Sequence, residues 1–299
     1  MTIHLKGVIP PMITPFTKEG DLDESGFIQN IQRWNQTGLS GYLVLGSNSE
    51  TVYLTEKEKI RLMELTVQHA SENRVLLAGT GMESTRDTIE LTQKAAELGI
   101  HAALVLTPFY YGGKMTDEAL IRYYTEVADH AAIPILIYNV SKFTHINITP
   151  GAVSILSRHP NIVGMKDSAG DIPQLVRYMK VVAEDFSLLV GTASAWYPAL
   201  TLGIKGGIMA LANCAPDACV EIQQLFDQGD WMAARELYTQ VFFLNDAVTG
   251  KYGVAGLKEA CRLVGYTGGE VRSPLLPLEE SEKRAVEKLV KEAVLPIIA

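Results

Sequence analysis

The chain has 299 residues, 47% hydrophobic and 20% charged, with a formal net charge of -8. That balance suits a globular protein with a large core, and the negative charge without any Lys/Arg block disfavours nucleic acid and anionic membrane as partners. The first residues carry no apolar signal core, and no apolar run approaches a membrane span. Three scattered cysteines, Cys214, Cys219 and Cys261, point to reduced thiols in a cytoplasmic compartment.

In chain order, short β-rich runs fall at 7–14, 41–45, 75–79, 102–106, 135–138, 162–166, 187–190 and 207–211. Amphipathic stretches at 24–36, 56–71, 83–98, 117–130, 171–184 and 194–202 separate them. Eight strand-helix units with apolar, non-alternating strands predict an α/β fold, a (β/α)8 TIM barrel over 1–225. From 217 to 295 the pattern is helical, interrupted at 250–255 and 265–277. It predicts a C-terminal helical region over 226–299. The rival architecture is a doubly wound open sheet, whose strands read alike, but no G-x-G-x-x-G follows any strand.

Chemistry in a barrel gathers where strands end at their C-termini. The run N-I-V-G-M-K-D-S-A-G-D at 161–171 puts a lysine, Lys166, at the end of a buried strand. Burying an ammonium without a partner is expensive, burial favours the neutral amine, and a neutral amine attacks a ketone to give a Schiff base. The bland alternative is a lysine that snorkels outward. The other strand ends that stand out are Gly46-Ser47-Asn48-Ser49-Glu50, the stretch from Thr107 through Tyr110 and Tyr111 to Gly113, and Tyr138-Asn139. Ser47 and Ser49 also fit a plain turn, Tyr138 a packed core tyrosine, Tyr110 and Tyr111 a loop or subunit contact, and Glu50 a helix-entry carboxylate. The histidines show no metal-binding spacing, so a metal-dependent aldolase is disfavoured.

The segments at 46–50, 138–140, 164–171 and 207–213 occur in order and at consistent separations. Together they resemble the dihydrodipicolinate synthase / N-acetylneuraminate lyase family of class I pyruvate-type aldolases. The resemblance spans the chain from Gly7 to the helical C-terminus. It implies a barrel with a C-terminal helical region, no metal and no organic cofactor, and a homotetramer built as a pair of dimers. It implies that pyruvate and a small aldehyde or 2-keto acid are the partners. By the same resemblance Lys166 is the Schiff-base lysine and Tyr138 the proton shuttle. Ser47 and Asn48 hold the substrate carboxylate, Tyr110 is supplied across the dimer interface, and Ile208 turns its carbonyl toward the substrate.

Three positions depart from that pattern. Ser49 stands where the family carries glycine, Asn48 where its synthases carry a hydroxyl, and Phe143 where they carry an arginine for the second substrate's carboxylate. Phenylalanine cannot make a planar bidentate clamp, and a strand-like alternation turns neighbouring Lys142 elsewhere. The segments 81–85, 110–115 and 253–258 resemble the 4-hydroxy-2-oxoglutarate aldolase branch. Glu56, Lys59 and Glu83 occupy the family's lysine-inhibitor positions, which speaks against feedback by lysine. The expected reaction is therefore retro-aldol cleavage of a 4-hydroxy-2-oxoglutarate-type keto acid. The alternatives are 4-hydroxy-tetrahydrodipicolinate synthesis from aspartate semialdehyde, dehydration or cleavage of a 2-keto-3-deoxy sugar acid, and a keto-acid-binding protein without turnover.

Overall fold

The computed structural model describes residues 5–295 and 297. Eight parallel strands form one sheet: β1 (Gly7–Ile9), β2 (Gly41–Val44), β3 (Val75–Gly79), β4 (Ala102–Leu106), β5 (Ile135–Asn139), β6 (Ile162–Asp167), β7 (Ser187–Val190) and β8 (Gly206–Ile208). Their order is β1-β8-β7-β6-β5-β4-β3-β2. The ends of that series meet, because Ser40 N donates to Val8 O at 2.9 Å, Leu43 N to Pro10 O at 3.0 Å and Met12 N to Leu43 O at 2.9 Å. The sheet is thus a TIM barrel.

β1 stops at Ile9, short of the expected 14, because Pro10 and Pro11 bring no N–H to a ladder. Its carbonyls continue to pair with β2 beyond that point. β8 ends at Ile208, short of 211, and 210–213 coil into a 3₁₀ turn. The Asn213 side chain takes over there, accepting from Ile13 N at 3.0 Å and donating to Pro11 O at 3.0 Å.

The helices that wrap the barrel are α1 (Glu24–Trp34), α2 (Glu56–His69), α3 (Thr85–Leu98), α4 (Asp117–His130), α5 (Ser141–Thr144), α6 (Pro150–Leu156), α7 (Ile172–Met179), α8 (Trp196–Thr201) and α9 (Pro216–Asp227). Beyond them come α10 (Trp231–Asp246), α11 (Gly253–Leu263) and α12 (Glu280–Glu292), and the 225/226 division falls inside the last turn of α9. α6 is seven residues, too short to show a helical period in sequence, and α5 is a single turn where alternation suggested a strand. The expected interruption near 250 is a π-helical turn, Ala247–Lys251, joining α10 to α11.

Inward-facing side chains fill the barrel: Ile9, Leu43, Leu77, Leu104, Leu136, Leu189 and Ile208 form one buried cluster that includes Tyr138. Outward-facing ones pack under the helices, as Met165 does with Tyr178 and Ile148. No helix among the described residues is long and apolar enough to cross a membrane.

Candidate active site

Strand register brings the first two functional side chains together. β5 and β6 pair in parallel with Tyr138 opposite Lys166, so both point into the barrel at its C-terminal mouth. Lys166 is 2% exposed, and its Nζ lies 4.2 Å from the Tyr138 ring centroid. Tyr138 Oη and Ser47 Oγ share a hydrogen bond of 3.3 Å. Burial alone pushes the Tyr138 phenol up. The positive charge of Lys166 beside it and the Ser47 hydroxyl outweigh burial and hold the phenol below its ordinary value.

Ser47 and Asn48 sit on a 3₁₀ turn after β2. Two non-glycine residues in the left-handed region bracket it, Leu45 at φ 61° and Glu50 at φ 56°. Such a backbone costs roughly 1–3 kcal/mol at each residue and persists only where the surroundings over-determine it. Here they do. Ser49 Oγ donates to Met12 O at 2.6 Å and accepts from Gly46 N at 3.1 Å. The Ser49 hydroxyl, in the position where the family pattern has glycine, therefore ties the turn to the chain following β1. The Glu50 carboxylate turns away from the mouth, to Lys258 Nζ at 2.5 Å and Arg272 N at 2.8 Å.

On the outer side of β5 and β6 a closed polar ring fixes the strand ends. Asp167 Oδ1 accepts from Asn139 Nδ2 at 2.7 Å and from Gln174 Nε2 at 3.1 Å. Asn139 Nδ2 also donates to Asn147 Oδ1 at 2.8 Å, and Asn147 Nδ2 to Gln174 Oε1 at 2.7 Å. Burial pushes the Asp167 carboxyl above its ordinary value, against the pull of the Asn139 and Gln174 amides.

Lys166, Tyr138 and the Ser47 turn face a cavity of about 360 Å³. Ser47, Asn48, Tyr138, Lys166 and Phe143, all singled out by sequence, line it. Ile208 does not. Its side chain packs in the barrel interior, and Ala210 of the following turn reaches the wall instead. Tyr110 does not line it either: it is 76% exposed, edge-on to Tyr111 at 5.0 Å, on a loop whose backbone N–H groups at Phe109 and Tyr110 bond the Glu83 carboxylate.

The placement of Lys142 corrects the sequence expectation. Because α5 is a helical turn, strand alternation does not apply, and Lys142 lines the same cavity as Phe143. Its Nζ donates to Thr249 O at 2.9 Å, in the π-helical turn. Ser168, Thr192, Ser194 and Asp246 also line the cavity. Ser168 lies in the lysine motif itself, and Thr192 follows a strand end, so both carried a positional signal. Asp246 and Thr249 come from the C-terminal region, where nothing local marks them. The Ser168 hydroxyl is buried without a hydrogen bond among the described residues. It fits because residue 191 is glycine: a Cβ there would stand 1.8 Å from Ser168 Oγ.

A buried lysine amine, a tyrosine of lowered pKa and a hydroxyl at the bottom of one pocket can form an imine and move a proton beside it. Comparison with known proteins agrees. The chain matches the dihydrodipicolinate synthetase family over residues 4–293. It is 34% identical over 288 residues to a 4-hydroxy-tetrahydrodipicolinate synthase of Methanothrix thermoacetophila, covering 96% of each chain. A dihydrodipicolinate synthase from Acinetobacter baumannii, complexed with pyruvate, superposes with a TM-score of 0.93 at 28% identity, covering 98% of this chain and 100% of that one. YagE from Escherichia coli K12, a prophage protein of the same family in complex with pyruvate, gives a TM-score of 0.91 at 30% identity, covering 97% and 99%. The chain belongs to the dihydrodipicolinate synthetase family and is an enzyme of its class, the Schiff-base lyases and synthases.

Proposed function

We propose that this protein makes or breaks a carbon-carbon bond at C3 of pyruvate through a Schiff base on Lys166, with an aldehyde that carries a carboxylate as the other partner. The observation that carries the first half is the buried Lys166 amine beside Tyr138 and Ser47 on the cavity floor. The free amine adds to the C2 ketone, and loss of water leaves a cationic iminium. That cation accepts electrons, so loss of a C3 proton gives an enamine that attacks the aldehyde carbon, and the new alkoxide takes a proton. Read backwards, the C3–C4 bond breaks, the C4 hydroxyl loses its proton and the aldehyde departs. The enamine then takes a proton at C3 to give the iminium, and water adds to C2, releasing pyruvate and regenerating the amine. Tyr138 handles these protons, with Ser47 within hydrogen-bond reach, while Ser47, Asn48 and their turn hold the C1 carboxylate. Tyr110 acts on a partner subunit's site.

Lys142 supports the second half. It is a cation on the cavity wall one residue before Phe143, so the absent arginine does not leave an acceptor carboxylate without a positive partner. Two acceptors fit. The names of the relatives favour aspartate semialdehyde, hence synthesis of 4-hydroxy-tetrahydrodipicolinate. Cleavage of 4-hydroxy-2-oxoglutarate to pyruvate and glyoxylate is the second reading. Phe143 favours it, as do Gly253 and Val254, which line the cavity and belong to a segment resembling that branch. The test is kcat/KM for both substrates, for an uncharged aldehyde and for a 2-keto-3-deoxy sugar acid, on one preparation. The expectation is that one carboxylate-bearing substrate leads. An uncharged aldehyde or a 2-keto-3-deoxy sugar acid in the lead would overturn the acceptor assignment.

A further inference from the structure

Behind the Ser47 turn lies a pair of charges that the chemistry above does not use. Glu50 closes the turn, and its side chain is 1% exposed. Lys258 is on α11, and its side chain is 3% exposed. The two meet at 2.5 Å, while Lys258 Nζ also donates to Glu270 O at 2.6 Å and sits 4.5 Å from the Phe16 ring centroid. Glu50 is completed by the backbone N–H of Arg272. A buried ion pair is weak evidence for stability, since desolvating both charges offsets most of their attraction, so its presence asks for another role.

Its location supplies one. Glu50 holds one of the two left-handed backbone positions that shape the Ser47–Asn48 turn. α11 begins with Gly253 and Val254, which line the same cavity as Ser47 and Asn48. One contact thus joins the wall carrying the carboxylate-binding turn to the wall contributed by the C-terminal region. We propose that the Glu50–Lys258 ion pair is a positioning device that fixes the Ser47–Asn48 turn against α11 and so sets the grip on the pyruvate carboxylate. The inference rests on the assignment of that turn to the carboxylate. Glu50 and Lys258 touch no substrate; they act through Ser47 and Asn48. On this account the C-terminal helices are part of the active site, as the partner that keeps a strained turn in one conformation.

Two variants test it. Glu50→Gln keeps the shape and removes one charge. Burial already pulls the Lys258 amine below its ordinary value, and Glu50 is the main group opposing that, so removing its charge shifts the lysine further toward the neutral amine. Glu50→Gln/Lys258→Met removes both charges and leaves an uncharged contact of similar size. The readout is the pyruvate concentration that half-saturates borohydride trapping on Lys166, followed by mass spectrometry of the intact chain. The double variant should melt nearer the wild type than Glu50→Gln, which leaves a buried amine without its partner. Both should trap to the same maximum and need roughly tenfold more pyruvate or higher to half-saturate, the scale set by small misplacements of a binding group. A pair with a merely structural role lowers the melting temperature and the trapped amount and leaves half-saturation unmoved. That result in either variant overturns the inference. Absence of trapping in the wild type would instead remove the Schiff-base reading, so the two failures are distinct.

Discussion

Neighbouring strands put Lys166 and Tyr138 side by side, and the charge of the lysine draws the phenol below its ordinary value. Lys166→Ala should abolish turnover with the fold intact, which circular dichroism and melting would show; near-normal activity would mean another nucleophile. Tyr138→Phe should still form the pyruvate adduct but slow proton transfer by roughly a hundredfold or more. The pH profile carries the sign. The Tyr138 phenol is held below its ordinary value of 10.0, so the phenolate that accepts a proton fills in at lower pH. The rate of the proton-accepting step should climb with pH with a midpoint below that value, and Tyr138→Phe should lose this limb. At the rim of the pocket, Lys142→Ala should weaken use of carboxylate-bearing acceptors by on the order of ten- to a hundredfold, the worth of a hydrogen bond to a charged group, while pyruvate trapping stays as it was. An unchanged acceptor KM would free Lys142 of that role.

At the scale of the element, the strands were legible because buried parallel strands read as apolar runs, and Lys166 was legible because it interrupts one. The short pieces between them were not. The four-residue helix α5 has no period to read, so Lys142 was turned out of a cavity that it lines. Asp246 and Thr249 reach the site from a helix end and a π turn more than seventy residues downstream of the lysine, a closeness set by packing rather than by any local pattern. The start of α2 shows the same long-range dependence. Thr55 and Glu58 form a reciprocal cap, and Glu58 also holds the Arg272 guanidinium through both oxygens at 2.6 and 2.9 Å. That contact draws the Glu58 carboxyl down to about 2 from 4.5. Its folded value being the lower one, its stabilisation is complete above 4.5 and fades as pH falls toward 2. Discounted for the solvent that reaches it, the contribution is about 1–2 kcal/mol. Glu58→Gln should therefore lower the melting temperature at pH 7 and have little effect at pH 2.5. An equal drop at both values would assign the loss to the cap alone.

Across the whole molecule, the barrel supplies the chemistry and the C-terminal region closes the pocket. Residues from β2, β5 and β6 and the turns after them meet residues 246–254 around one cavity. That division explains why the fold and the buried lysine at the end of β6 could be read from sequence while the acceptor wall could not. The lysine is fixed by a strand, whereas the acceptor wall is assembled from loops and helix ends. Outside the cavity, Tyr110 and Tyr111 stand 76% and 71% exposed on a loop that Glu83 holds in place, a costly display for two rings with no cover within one chain. The protein should therefore be at least a dimer at micromolar concentration by light scattering, with Tyr110→Ala reducing activity more than it reduces melting temperature. A fully active monomer would contradict the role given to Tyr110.

The most direct test of the account is reduction of the wild-type enzyme with borohydride in the presence of pyruvate, followed by peptide mass spectrometry. One pyruvate-sized adduct should appear, on Lys166, and require pyruvate. An adduct confined to another lysine, or none at saturating pyruvate, would contradict the Schiff-base mechanism.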